Sequence, residues 1–186
     1  MDAVAEATVE ETETGQVVRG DGWFILNLGE ARWERDPDLG TWCNLGAQDA
    51  PFSQFGIGPH MLMPGQPNGR YHAEAAQEGF LVLSGECIAI VEGQEHRMRQ
   101  WDYLHCPPGT HHITVGAGDG PCVILMVGTR GPDVAETEYT VDELAARYGA
   151  SVARATTSSD EAYADLGRSY TAVPAPWPPN DQMGAT

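Results

Sequence analysis

Two stretches decide the fold. The first is Gly69-Arg70-Tyr71-His72-Ala73-Glu74, followed after Ala75-Ala76-Gln77 by Glu78-Gly79-Phe80-Leu81-Val82-Leu83-Ser84-Gly85. The second is Trp101-Asp102-Tyr103-Leu104-His105-Cys106-Pro107-Pro108-Gly109-Thr110-His111-His112. On an extended chain His72 and Glu74 face the same side, because side chains alternate with a period of two. Glu78 heads an apolar run, Phe80 to Leu83, that Ser84-Gly85 stops as a turn stops a strand. The second stretch reads as a strand, a Pro-Pro-Gly turn, and a histidine opening another apolar run, Ile113 to Val115. The turn fixes the direction in which His112 enters. Metal-capable side chains thus fall at the ends of short strands, as expected of a site in a small β-barrel.

Working outward, short strand-like runs follow one another: Trp23 to Leu28, Phe52 to Ile57, His60 to Met63, Arg70 to Glu74, Phe80 to Leu83, Cys87 to Val91, Glu95 to Arg99, Asp102 to Cys106, His112 to Val115 and Cys122 to Gly128. Turn residues punctuate them at Asp36 to Gly40, Gly58-Pro59, Pro64-Gly65, Pro67-Asn68-Gly69, Ser84-Gly85, Glu92-Gly93 and Gly118-Asp119-Gly120. Closely spaced short strands of this kind predict an all-β barrel or jelly roll. Phe55, Met61, Met63, Trp101 and Tyr103 are the large side chains expected to fill or shape its interior. At most one of Tyr103 and His105 is expected to look inward with them.

The two deciding stretches resemble the motifs of the cupin superfamily, GxxxxxHxHxxxxExxxxxxG, with a gap of variable length before the Glu, and GxxxxxPxGxxHxxxN. His72, Glu78 and Gly85 fall on the first; Pro107, Gly109 and His112 fall on the second. Glu74 stands where the family usually has its second histidine. Gln66 and Trp101 replace the opening glycines, and Gly116 replaces the closing Asn. The resemblance covers residues 52–128. It implies a cupin-type double-stranded β-helix, a jelly-roll barrel, here with a short C-terminal helix and an extended tail. It also implies one divalent metal ion per chain, held by His72, Glu74, Glu78 and His112, and assembly as a homodimer. Two imidazoles with oxygen donors favour iron or manganese, while zinc or nickel can also load. Taken singly, His60, His96, His105 and His111 read as structural.

A chain of 186 residues fits one domain with extensions. The expected organisation is an acidic, disordered tail at 1–20, the barrel at 21–135, and a helix with a proline-rich tail at 136–186. Asp2, Glu6, Glu10, Glu11 and Glu13 all precede the first basic residue, Arg19. Thr140 with Glu143 reads as a capping box opening a short helix that ends at Gly149. Pro174 to Pro179, around Trp177, reads as extended.

A net charge of −17 argues against nucleic acid or an anionic membrane as partner. The four cysteines, Cys43, Cys87, Cys106 and Cys122, lack CxxC spacing and read as buried small hydrophobes. No signal-peptide pattern or membrane-length apolar run is present, so a cytoplasmic protein is expected. The resulting functional expectation is a metal-dependent enzyme acting on a small organic molecule, with dioxygenase chemistry ahead of isomerase or decarboxylase chemistry. The alternative is a barrel that binds or senses a small molecule without turnover. No catalytic residue beyond the metal set is assigned.

Overall fold

Strand alternation and turn chemistry produce two facing antiparallel sheets. The computed structural model describes residues 3–134, 136–167 and 170–176. The larger sheet contains β3 (Trp33–Asp36), β4 (Gly40–Trp42), β5 (Phe55–Leu62), β7 (Glu78–Ser84), β10 (Tyr103–Cys106), β12 (Cys122–Thr129) and β14 (Thr171–Val173), in the order β10-β7-β12-β5-β4-β3-β14. The smaller contains β6 (His72–Glu74), β8 (Glu86–Val91), β9 (Gln94–Arg99), β11 (His112–Ala117) and β13 (Thr137–Tyr139), in the order β13-β6-β11-β8-β9. Leu62, Phe80, Val82, Cys106, Cys122 and Ile124 of the first meet Cys87, Ala89 and Met98 of the second in one buried cluster. A fully buried Leu, Val, Ile or Phe contributes about 1.5–3 kcal/mol, so this cluster is what holds the sheets face to face. The fold is the jelly-roll barrel expected, and all four cysteines are free and buried.

Several local expectations are corrected. The acidic segment carries a hairpin-like pair, β1 (Thr8–Glu10) with β2 (Val17–Arg19), and buries Val17 and Val18. Its charges sit on the exposed β1 while two valines supply an apolar anchor, which composition averages away. Trp23 to Leu28 forms no strand. Trp23 makes a single bridge to Glu6, and Leu26 and Leu28 pack against the cluster around Trp33. Alternation is satisfied there by packing, without a ladder partner. The barrel also runs past residue 135, since β13 pairs with β6.

Gly58-Pro59, expected as a turn, lies inside β5. Pro59 accepts a hydrogen bond from the Cys43 amide at 3.1 Å. In an antiparallel ladder a residue's N–H and C=O point to the same neighbour, so the N–H that proline lacks faces the β4 side. No bond to β12 is lost, and the proline is tolerated.

The C-terminal helix is shorter than expected. α1 (Glu143–Ala146) is capped by Asp142, whose Oδ1 accepts from the Ala145 amide at 2.7 Å, rather than by Thr140. A second turn, α2 (Ser159–Ala162), is capped by Ser158. Trp177 lies outside the described residues. Phe55, Met63, Trp101 and Tyr103 are exposed and Met61 is half-buried. The inner face of β5 is the one that carries Leu62, so the expected parity was off by one residue. Tyr103 and His105, two residues apart and therefore on one face, both point outward.

Candidate metal centre

The site lies where the two sheets open. His72 and His112 stand directly opposite each other on β6 and β11, with ring centroids 4.9 Å apart. Glu78 comes from the other sheet, at the head of β7. One donor atom from each of His72, Glu78 and His112 can be chosen so that all lie within 4.8 Å of one another. The turn between β10 and β11 sets this geometry. Gly109 adopts φ +82, a conformation that favours glycine, and donates its N–H to the Glu74 carbonyl at 2.7 Å. The second sequence stretch is thereby tied to the first.

Both imidazoles are oriented the same way. His72 Nδ1 lies 2.7 Å from the Arg70 carbonyl, and His112 Nδ1 lies 3.0 Å from the Thr110 carbonyl. Each carbonyl only accepts, so each Nδ1 carries a proton and each Nε2 points inward. His112 Nε2 then faces Glu78 Oε2 at 3.2 Å, and His72 Nε2 faces Glu74 Oε1 at 3.5 Å. A lone pair facing a carboxylate is repulsive unless a proton or a cation lies between them.

The protonation tendencies reflect that conflict. Burial, then the neighbouring Glu74 charge, pushes the Glu78 carboxyl up to about 7. Burial, then the charge of His72, pulls His112 down to about 4. Burial opposes charging of His72, but the hydrogen bonds that it donates to the Glu74 carboxylate and the Arg70 carbonyl outweigh it, and its pKa is raised. Glu74 is held below the usual carboxylate range, chiefly by its hydrogen bond with His72.

A divalent cation fits this donor set. Adjacent donors at about 2.1 Å from one ion are about 3 Å apart in an octahedral arrangement, close to the two observed nitrogen–oxygen contacts. A cation would take the place of the proton that each nitrogen–oxygen pair competes for. Glu74 shares the inward face with His72, as the alternation predicted, but stands outside the three-donor cluster and is about one-third exposed. Glu74 makes no ion pair with the nearby Arg70. Arg70 turns the other way, into the C-terminal segment.

The centre opens into a cavity of about 570 Å³ that is also lined by His60, Asn68, Met126 and Arg130. Taken singly, His60 reads as structural, but it lines this cavity. Its two-residue spacing from the fully buried Leu62 is the signal that places it on the inner face of β5. Arg130 follows the end of β12, two residues beyond Gly128, and nothing in its local sequence marks it.

Residues 60–128 match the family model of the cupin domain, so the chain carries a cupin domain over that stretch. Among solved structures, the chain is similar to a sugar phosphate isomerase from a cupin superfamily of Silicibacter pomeroyi. The two are 28% identical, over 55% of this chain and 65% of that one, with a TM-score of 0.47. It is also similar to the polyketide cyclase RemF of Streptomyces resistomycificus, 18% identical over 54% and 73%, with a TM-score of 0.45. A third is the DMSP lyase DddQ of Ruegeria pomeroyi, 23% identical over 51% and 48%, with a TM-score of 0.43. The chain thus spans less than two thirds of the isomerase's length. No curated protein matches the sequence. Among the described residues no helix is long and apolar enough to cross a membrane.

Proposed function

We propose that this cupin holds one divalent metal ion through His72, Glu78 and His112, with Glu74 as a fourth donor, and acts as an enzyme on a small organic molecule. The observation that carries this reading is the convergence of donors: one atom each of His72, Glu78 and His112 within 4.8 Å of one another, with His112 Nε2 3.2 Å from Glu78 Oε2 and His72 Nε2 3.5 Å from Glu74 Oε1. Iron or manganese is the favoured ion because half of the four donors are hard oxygens; zinc or nickel would also be accommodated. Such an ion supplies a Lewis-acidic centre and, when redox-active, access to dioxygen chemistry. The chain's own residues do the rest. The Arg70 and Thr110 carbonyls fix the two rings, Phe80 packs against His112 with centroids 5.0 Å apart, and the cavity gives a small molecule room beside the donors.

Two imidazoles and a carboxylate on one side leave positions open for both substrate and oxygen, which supports a dioxygenase. One observation favours a second reading, isomerase or lyase chemistry. Glu74 lies in the cavity outside the three-donor cluster, where its carboxylate can take a proton from a bound molecule. Oxygen uptake and product formation, recorded aerobically and anaerobically on a panel of small hydroxy and oxo acids with iron- and zinc-loaded protein, separate the two. Turnover that needs both iron and oxygen supports the dioxygenase. Turnover that survives zinc and the absence of oxygen replaces it with the second reading, and binding without turnover leaves a sensing barrel.

A further inference from the structure

The cavity wall away from the donor cluster is built from an unusual combination. On β5 the inner positions are Gly56, Gly58, His60 and Leu62, and on β12 the facing residues include Gly128, Met126 and Ile124, with Gly128 paired to Gly56 and Met126 to Gly58. A Cβ at Gly128 would sit 3.6 Å from Glu78 Cγ, so this position looks straight at the donor cluster. Arg130, two residues on, faces the same way. Its guanidinium lies over Gly56, where a Cβ would come within 2.6 Å of Arg130 Nε. The glycines at 56 and 128 therefore clear a path from the guanidinium to the metal-capable side chains.

Arg130 makes no side-chain hydrogen bond and no ion pair among the described residues, although the chain carries 27 acidic residues against 10 basic ones. Glu74 feels its charge across the cavity, but with no carboxylate in ion-pair contact among the described residues its fork of donors is free for a guest. Among the residues lining the cavity it is the one arginine, and the chain has no lysine. A second unmet group lies in the same wall: His60 Nδ1 is buried without a hydrogen-bond partner. Such an atom costs about 1–3 kcal/mol when left dry, so the cavity is built to receive a polar molecule.

We propose that Arg130 is the anion anchor of this site, holding the carboxylate of a small organic acid whose other oxygen reaches the donor cluster. This rests on the metal reading above and narrows its substrate class. The charges agree. Glu74 and Glu78 neutralise a divalent ion, and the guanidinium then leaves the cavity one positive charge in excess, which a monoanion cancels. Arginine suits the role because its planar fork binds a carboxylate through two parallel N–H bonds.

The test uses the full chain loaded with iron or zinc, and three hydroxy acids of increasing length, glycolate, 3-hydroxypropanoate and 4-hydroxybutanoate, each beside its uncharged primary amide. Calorimetric affinities are measured for wild type, Arg130→Gln and Arg130→Lys, with metal content determined for each. At least one acid is expected to bind wild type about 10-fold or more tightly than its amide. Arg130→Gln should erase that preference without changing metal content, and Arg130→Lys should keep part of it. Equal binding of acid and amide by wild type, or a preference that survives Arg130→Gln, overturns the proposal. The same titrations on metal-free protein separate the two readings: an acid preference lost in Arg130→Gln, in protein that takes up no metal, would refute the metal centre and leave the anchor standing.

Discussion

Arg70 fastens the C-terminal segment to the barrel, and its removal gives a sharp prediction. The side chain is 3% exposed. Its Nε donates to the Ala162 carbonyl at 3.1 Å, Nη1 donates to the Ser151 carbonyl at 3.3 Å and to that of Gly149, and Nη2 pairs with Asp165. The guanidinium also lies over the Tyr163 ring, 5.9 Å from its centroid. Hydrogen bonds from a charged donor contribute about 1.5–3 kcal/mol each, and the freed carbonyls recover part of that from water. Arg70→Ala should therefore cost about 3–5 kcal/mol, chiefly through the hydrogen bonds to the three carbonyls. Asp165 is different, because its side chain is 72% exposed. Asp165→Asn should cost less than about 1 kcal/mol. Urea unfolding of the three proteins measures both values, and hydrogen exchange should show amides of α1 and α2 losing protection first in Arg70→Ala. A cost under about 1 kcal/mol for Arg70→Ala, or equal costs for the two variants, would refute the clamp.

Other expectations follow from single residues. Trp101 adopts φ +76 at an exposed turn, a conformation that costs a non-glycine residue about 1–2 kcal/mol. Trp101→Gly should therefore be more stable than Trp101→Ala by about 1 kcal/mol, reversing the usual order; the reverse ranking in chemical denaturation would count against that strain. A Cβ at Gly116 would meet the Met63 carbonyl oxygen at 2.3 Å. Gly116→Ala should destabilise by about 1–3 kcal/mol or more, read as a lowered Tm. Burial pushes the thiols of Cys43 and Cys106 up to about 11 and about 12, so neither should react with a thiol reagent in minutes before unfolding and both should react after it.

The pH dependence of metal affinity has a defined sign. Glu78 titrates near 7 in the folded protein against an ordinary value of 4.5. The metal-free fold favours its protonated form, so its contribution to stability is fully present below pH 4.5 and is lost as pH rises through about 7. Metal needs the carboxylate, so binding releases a proton below pH 7 and affinity rises with pH until it levels off above it. Calorimetry at pH 6 in buffers of different ionisation enthalpy counts that proton; zero release would contradict the assignment.

Much of the barrel was legible because strands β7 to β12 are bounded by turn residues and carry apolar runs of strand length. The His72, Glu78 and His112 placement was legible because motif spacing fixes where each strand begins. Burial parity was less so. Met63 and Leu62 are equally apolar, and only the pairing of β5 with β12 decides which one turns inward. Strands β3, β4 and β14 went unread because Trp33–Asp36 and Gly40–Trp42 are short and mixed in polarity, and they gain stability from partners distant in sequence. Arg130 reaches the cavity through tertiary placement alone, whereas His60 follows from its alternation with Leu62 once that parity is known.

The most direct measurement is elemental analysis of protein purified without chelator or nickel resin and dialysed against iron(II) under nitrogen, on wild type, His112→Ala and Glu78→Gln, with circular dichroism confirming that each is folded. About one iron per chain in wild type, falling at least 10-fold in both folded variants, is the expected result. Full occupancy in folded His112→Ala, or no iron in wild type, would contradict the metal centre.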